Sequence, residues 1–233
     1  MRGKLYGVGL GPGDPELMTL RAHRLIAGAG VVAYPTLAGA QSFARSIAAD
    51  AIAPGAREIV MDVPMTTARA PAQAAYDKGA EEIAGVLEQG EDVICLCEGD
   101  PFFYGSFMYL FARLSARFEI EVVPGVTSIA ACAARAGRPL VARNERLTVL
   151  PGPLPEDELR RRIEGAEAVA IMKVGRHLAK IRGVIEDLGL TGGAVYVERA
   201  SLPEEVVLPL AEAPERAPYF SMILLTKGAD PWL

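Results

Sequence analysis

Short apolar runs alternate along this chain with longer stretches in which apolar residues recur every three or four positions. The first pattern suits buried strands and the second suits amphipathic helices. Leu5 to Leu10, Val31 to Tyr34, Arg57 to Met61, Val93 to Cys97 and Glu119 to Val123 therefore read as strands. Glu16 to Ile26 reads as a helix through Leu17, Leu20, Leu25 and Ile26, with Thr19 and Arg21 on its wetter faces. Ser42 to Ala51 reads as a second helix capped by Ser42. Val63 to Thr67 reads as a loop. Ala72 to Glu88 follows Pro71, a residue suited to the start of a helix, and stops at Gly90. Gly105 to Arg117 carries Phe107, Leu110, Phe111 and Leu114 on one face.

Gly137 to Arg143, punctuated by Arg138-Pro139, reads as a hinge, after which the alternation restarts. Leu147 to Leu150, Ala168 to Val174, Ala194 to Arg199, Glu205 to Leu208 and Tyr219 to Thr226 read as strands. Pro155 to Ile163 and Arg176 to Leu188 read as helices. Neither half shows a repeat period. The chain reads as α/β, with an N-terminal domain over 1–140 and a smaller C-terminal domain over 141–233.

Three strand ends carry the chemistry. The run Val93 to Cys97 breaks off in Glu98-Gly99-Asp100-Pro101. Proline cannot donate to a ladder, and glycine lets backbone turn tightly or approach a ligand. Ligands of open α/β sheets bind just beyond the carboxyl ends of strands. The same residues also suit a plain strand-to-helix turn capped by Asp100. The first strand runs into Gly9-Leu10-Gly11-Pro12-Gly13-Asp14-Pro15. Its glycine spacing and two prolines do not match a dinucleotide loop, and Val31 to Tyr34 ends in Pro35-Thr36 with no acid for a ribose, which counts against NAD or FAD. The third strand end, Pro124-Gly125-Val126-Thr127-Ser128, opens a helix of small residues with hydroxyls near its cap.

A net charge of −5 argues against a nucleic-acid partner, which usually meets a basic face. Cys95 and Cys97 alternate along one strand and share a face. With Cys132 as the third cysteine, no Cys-x-x-Cys pair, and histidines only at 23 and 177, the expectation is buried free thiols, no metal site and a reducing compartment. No apolar run reaches the roughly 18 residues that span a bilayer, and the start lacks a secretory pattern. A cytoplasmic protein without a membrane partner is expected.

Taken in order, these motifs resemble the tetrapyrrole (class III) methyltransferases of corrin and sirohaem synthesis. The likeness rests on Gly9 to Thr19, Glu98 to Gly105, Pro124 to Ser128, Met172-Lys173 and Glu198-Arg199-Ala200-Ser201, and it spans essentially the whole chain. Gly99-Asp100-Pro101 followed by aromatics, Tyr104-Gly105 and Ser106 resembles the branch that methylates precorrin-2 at carbon 20. The resemblance implies two α/β domains with the ligand in a cleft between them, S-adenosylmethionine as cofactor (S-adenosylhomocysteine as product), a tetrapyrrole substrate and a homodimer. It further implies cofactor contacts from Pro12, Gly99, Asp100, Phe103, Tyr104, Thr127, Ser128, Met172 and Ala200.

One departure stands out. Where uroporphyrinogen methyltransferases carry Arg-Gly-Gly-Glu, this chain has Ser106-Phe107-Met108-Tyr109, which argues against uroporphyrinogen as substrate. No base carries over, so the proton lost after methyl transfer falls to Glu98, Tyr104, Tyr109 or Asp100 as candidates. Arg135, Arg138, Arg143, Arg146, Lys173 and Arg176 are candidates for the substrate's carboxylates, of which two or three are expected to touch it. Three other readings stay open: the cobalt-containing substrate, a protein substrate like that of the diphthine branch, and a non-catalytic tetrapyrrole carrier.

Overall fold

The computed structural model describes residues 1–37, 40–64 and 69–228. Met65, Thr66 and Thr67 of the expected loop lie outside the described residues. Packing divides the chain into two compact units, Met1–Thr127 and Ser128–Leu233.

The first unit is built on β1 (Leu5–Gly9), β2 (Val31–Thr36), β3 (Arg57–Asp62), β4 (Val93–Cys97) and β5 (Ile120–Val123), in the order β3-β2-β4-β1-β5. Every pairing is parallel. A parallel sheet needs crossover helices, and these cover both faces. On one face, α3 (Arg69–Glu88) and α4 (Phe107–Leu114) pack Ile83, Leu87, Phe107 and Leu110 on Leu5, Ile59, Val93, Cys95 and Cys97. On the other, α1 (Leu20–Ala27) and α2 (Phe43–Ile47) pack Ile26 and Ile47 on Val8, Val32, Ile94 and Leu96. Successive β4 residues thus enter opposite cores, which is why Val93 to Cys97 is apolar without interruption.

The expected helix Glu16–Ile26 is corrected to two pieces. The Asp14 carboxylate accepts from Glu16 N and caps a single 3-10 turn, Pro15–Leu17. The chain then extends at Met18, and the Thr19 hydroxyl accepts from Ala22 N to start α1. Thr19 is therefore a cap and not a face residue. Two competing side-chain caps within six positions cut what the apolar spacing alone would join. The helix expected over Ser42–Ala51 covers only α2, and Ser42 is its cap, accepting from Arg45 N at 3.3 Å.

The second unit holds α5 (Ser128–Arg135), β6 (Leu147–Pro151), α6 (Glu156–Glu164), β7 (Ala168–Met172), α7 (Leu178–Asp187), β8 (Ala194–Glu198), β9 (Val206–Pro209) and β10 (Ser221–Thr226). The order is β6-β7-β10-β8-β9. β6 and β7 are parallel, and β10 runs antiparallel to both β7 and β8. Consequently β6, β7 and β8 end on the same edge of this sheet. Leu159, Ile163, Ile181 and Ile185 of α6 and α7 close over Val169, Ile171, Tyr196, Ile223 and Leu225. α5 packs on β10 and belongs to this unit, so the division falls before the small-residue helix, whereas the sequence reading put it after, at 140/141. Cys95, Cys97 and Cys132 are all free and buried, the first two in β4 and the third in α5.

Candidate functional site

At the carboxyl edge of the first sheet, the loops after β1, β4 and β5 interlock through glycines. Gly11 and Gly99 form an antiparallel bridge, with Gly99 N donating to Gly11 O at 2.7 Å and Gly11 N to Gly99 O at 3.2 Å. A Cβ on Gly125 would stand 2.1 Å from Gly99 O, and one on Gly9 would stand 2.6 Å from Gly125 N. Real Cβ atoms do not approach so closely, so this contact of three loops requires glycine at both positions. Gly99 differs: its φ of 63° is left-handed, and a Cβ there would meet nothing within 4 Å. Its outer side is open, a place where backbone can meet a ligand directly.

Asp100 holds this rim together. One carboxylate oxygen accepts from Phe102 N at 2.9 Å and Phe103 N at 3.1 Å, and the other accepts from Gly125 N at 3.1 Å. The side chain thus caps the turn into α4 and ties the β4 loop to the β5 loop. The turn it caps places Tyr104 at a φ of 56°, a left-handed conformation that costs a non-glycine residue ~1–2 kcal/mol. Non-glycine residues held there cluster at working sites. The Tyr104 ring packs edge-on to Phe103 at 5.4 Å between centroids, and half of its surface is open. Pro12 and Phe103 are half-buried on the same rim.

Glu98, the last residue before Gly99, reaches the surface, yet protein packed around it pushes its carboxyl above the ordinary range. The Ala44 amide pulls the other way, more weakly. Tyr109 sits on α4 against Tyr76, with centroids 5.1 Å apart. Burial raises the Tyr76 hydroxyl, opposed by a hydrogen bond with Ser106. The first unit therefore gathers Pro12, Glu98, Gly99, Asp100, Phe103 and Tyr104 on one sheet edge, with Thr127 at its end and Tyr109 on the following helix.

In the second unit, Met172 ends β7, and Ala200 follows β8 on the same edge. Ser128 opens α5. The chain is again left-handed at non-glycine positions here, at Lys173 (φ 55°), Arg199 (φ 48°) and Ser201 (φ 70°). Two carboxylates brace the turn after β8. Glu198, nearly buried, accepts from the Tyr196 hydroxyl at 2.7 Å and from Arg199 Nη1 at 2.8 Å. Burial and that carboxylate together push the Tyr196 hydroxyl far up. Glu205 accepts from Ser201 N at 2.7 Å. Sequence reasoning read Glu198 only as part of a motif, missed Glu205, and did not foresee the left-handed conformation at Lys173, Arg199 and Ser201, because none of the three is a glycine or asparagine.

The cationic cluster resolves into residues with internal work. Arg135 Nε donates to Glu205 at 2.6 and 2.8 Å. Arg138 reaches the Gly193 carbonyl and Thr226 Oγ1, and Arg146 Nη2 donates to Glu167 at 2.7 Å. Lys173 and Arg176 lie just beyond the carboxyl end of β7. Among the described residues no helix is long and apolar enough to cross a membrane, and no group of three His, Cys, Asp or Glu side chains is gathered for a metal.

Comparison with known proteins adds the following. The family model "Tetrapyrrole (Corrin/Porphyrin) Methylases" matches residues 4–214. The chain is 45% identical over 236 residues to the cobalamin biosynthesis protein CobIJ of Mycobacterium bovis, covering 97% of this chain and 46% of that protein. It thus spans about half the length of the first curated relatives it matches. It is 43% identical to the precorrin-2 C(20)-methyltransferase of a Sinorhizobium species, covering 98% of this chain and 97% of that one. It is 32% identical to the cobalt-precorrin-2 C(20)-methyltransferase of Salmonella typhimurium, with 97% and 98% covered. Among solved structures, the uroporphyrin-III C-methyltransferase of Thermus thermophilus complexed with S-adenosylhomocysteine matches with a TM-score of 0.68 at 27% identity, covering 97% of this chain and 92% of that chain.

Proposed function

Because this chain belongs to the tetrapyrrole (corrin/porphyrin) methylase family, we propose that it transfers a methyl group from S-adenosylmethionine to carbon 20 of precorrin-2, giving precorrin-3A in cobalamin biosynthesis. The observation that carries the reading is the glycine rim of Gly9, Gly99 and Gly125, in a chain that matches a precorrin-2 C(20)-methyltransferase over nearly its full length. The rim suits the cofactor on physical grounds: its closed side admits no Cβ, while Gly99 presents backbone to open space.

On this reading Pro12, Gly99, Asp100, Phe103, Tyr104, Thr127, Ser128, Met172 and Ala200 hold the cofactor. Once bound, it supplies a sulfonium methyl already activated toward an electron-rich carbon. The protein's own share is placement, for which up to ~7–11 kcal/mol is available when reacting atoms are well oriented. Asp100 contributes by fixing the rim through three backbone amides, and Tyr104 presents its ring from a constrained turn. Among Glu98, Tyr104 and Tyr109, Glu98 is the acceptor for the proton that leaves the macrocycle. Its raised carboxyl stands nearer to neutral pH, where a base is most effective. On this reading Lys173 and Arg176, which follow Met172 in sequence, meet substrate carboxylates. The family resemblance supports a cytoplasmic homodimer.

The test is incubation of the purified protein with methyl-labelled cofactor and precorrin-2. The expected result is label at carbon 20 with equimolar S-adenosylhomocysteine, and a folded protein that leaves the macrocycle unlabelled overturns the proposal. A parallel arm with the cobalt-containing substrate is expected to run more slowly, in line with the higher identity to the cobalt-free enzyme, 43% against 32%. Absence of calorimetric binding of S-adenosylmethionine would instead favour a tetrapyrrole carrier.

A further inference from the structure

Glu205 is not among the expected site residues, yet it is the strut on which two of their segments rest. Its side chain is only 12% exposed although it stands just before β9 at the sheet edge. One carboxylate oxygen accepts from Ser201 N at 2.7 Å and also from Arg135 Nε at 2.8 Å, while the other takes the same Arg135 atom at 2.6 Å. Ser201 and Arg199 flank the buried Ala200, and both are left-handed, at φ 70° and 48°. Such a pair of non-glycine turns persists only where the surroundings over-determine it. The Ser201 amide on a buried carboxylate supplies that constraint, together with the Leu202 N to Arg199 O bond at 3.0 Å. Arg135, in turn, ends the eight-residue helix α5 that Ser128 begins. Burial, with the nearby Glu205 charge adding to it, also pushes the Cys132 thiol of α5 up.

We propose that Glu205 is a positioning residue for cofactor binding: it fixes the Ala200 turn through the Ser201 amide and, through Arg135, holds α5 in register with that turn. The inference rests on the reading that Ala200 and Ser128 contact S-adenosylmethionine. Glu205 touches neither the cofactor nor the substrate in this scheme. It therefore acts on cofactor affinity and leaves the chemical step alone.

The experiment compares wild type, Glu205→Ala and Glu205→Gln for calorimetric binding of S-adenosylhomocysteine and for KM and kcat with S-adenosylmethionine, with thermal unfolding alongside. Glu205→Ala removes both ties and is expected to raise KM and weaken binding about tenfold, equivalent to ~1.4 kcal/mol, with kcat at saturating cofactor within about twofold of wild type. Glu205→Gln keeps an acceptor for the Ser201 amide but loses the charge on Arg135, so an intermediate affinity is expected. It also serves as the reporter if the alanine variant does not fold. Wild-type affinity in the folded variants overturns the proposal, as does a fall in kcat with KM unchanged. Failure of wild type itself to bind S-adenosylhomocysteine refutes the parent reading instead.

Discussion

Asp100→Ala is the most informative substitution in the first unit. It deletes acceptors for three backbone amides, Phe102 N, Phe103 N and Gly125 N, at 2.9 to 3.1 Å. The first two close the Asx turn that leads toward α4, and hydrogen bonds of that kind are worth ~1 kcal/mol. The third is a charge-assisted bond between two loops, worth ~1.5–3 kcal/mol where water does not replace it. Asp100 is half-buried, so water recovers part of this, and the sum comes to ~2–3 kcal/mol. For a chain of this size the unfolding midpoint should fall by roughly 5–10 °C. Asp100→Asn separates the two parts. Its amide oxygen can still cap Phe102 and Phe103, but its NH2 would face the Gly125 N–H donor to donor. Thermal unfolding followed by circular dichroism, with S-adenosylhomocysteine affinity by calorimetry, reads both effects. Asp100→Ala should lose stability and affinity together, and Asp100→Asn should lose most of the affinity with less of the stability. A midpoint for Asp100→Ala within about one degree of wild type would refute the bracing role.

Gly125→Ala places a Cβ 2.1 Å from Gly99 O, so the β4 and β5 loops must separate; a stability loss of ~1–3 kcal/mol and loss of S-adenosylhomocysteine binding are expected by denaturant titration and calorimetry. Tyr104→Gly relieves a left-handed tyrosine, so stability should hold or rise while turnover falls, and a parallel loss of both would contradict the assigned strain. Glu98 has a raised carboxyl pKa in the folded chain. Its protonated form is thus favoured by folding, and its contribution is present at low pH and lost as pH rises through the folded value. Glu98→Gln should therefore gain stability relative to wild type across that rise. As the proton acceptor Glu98 works only when ionised, so wild-type kcat should climb over the same window, and the profile of Glu98→Gln should lie lower and flat there.

Most secondary structure was legible because burial on both faces of β4, and on one face of helices such as α4, writes itself into the apolar spacing. Strand order was not: nothing in the spacing says that β4 inserts between β2 and β1, since pairing partners are chosen by the crossover helices. The start of α1 was misread because Asp14 and Thr19 compete as caps within one apolar pattern. At the candidate site, Gly99 and Asp100 were visible as a strand end that breaks into turn residues. Arg135, Arg138 and Arg146 read as ligands for substrate carboxylates, but sequence does not reveal that Glu205, the Gly193 carbonyl and Glu167 engage them. The brace Glu205 was invisible for the same reason. A carboxylate that folds back on a backbone amide looks, in sequence, like any surface acid.

The burial of the three cysteines gives the molecule internal clocks. Burial holds the Cys97 thiol well above its usual range, and burial with the nearby Glu205 charge brings Cys132 to about 12, so at neutral pH neither offers a reactive thiolate. Alkylation must wait for the surrounding structure to open. Cys95 and Cys97 lie in β4 and Cys132 in α5, so peptide-resolved labelling times the opening of each unit in a single sample, without an added probe.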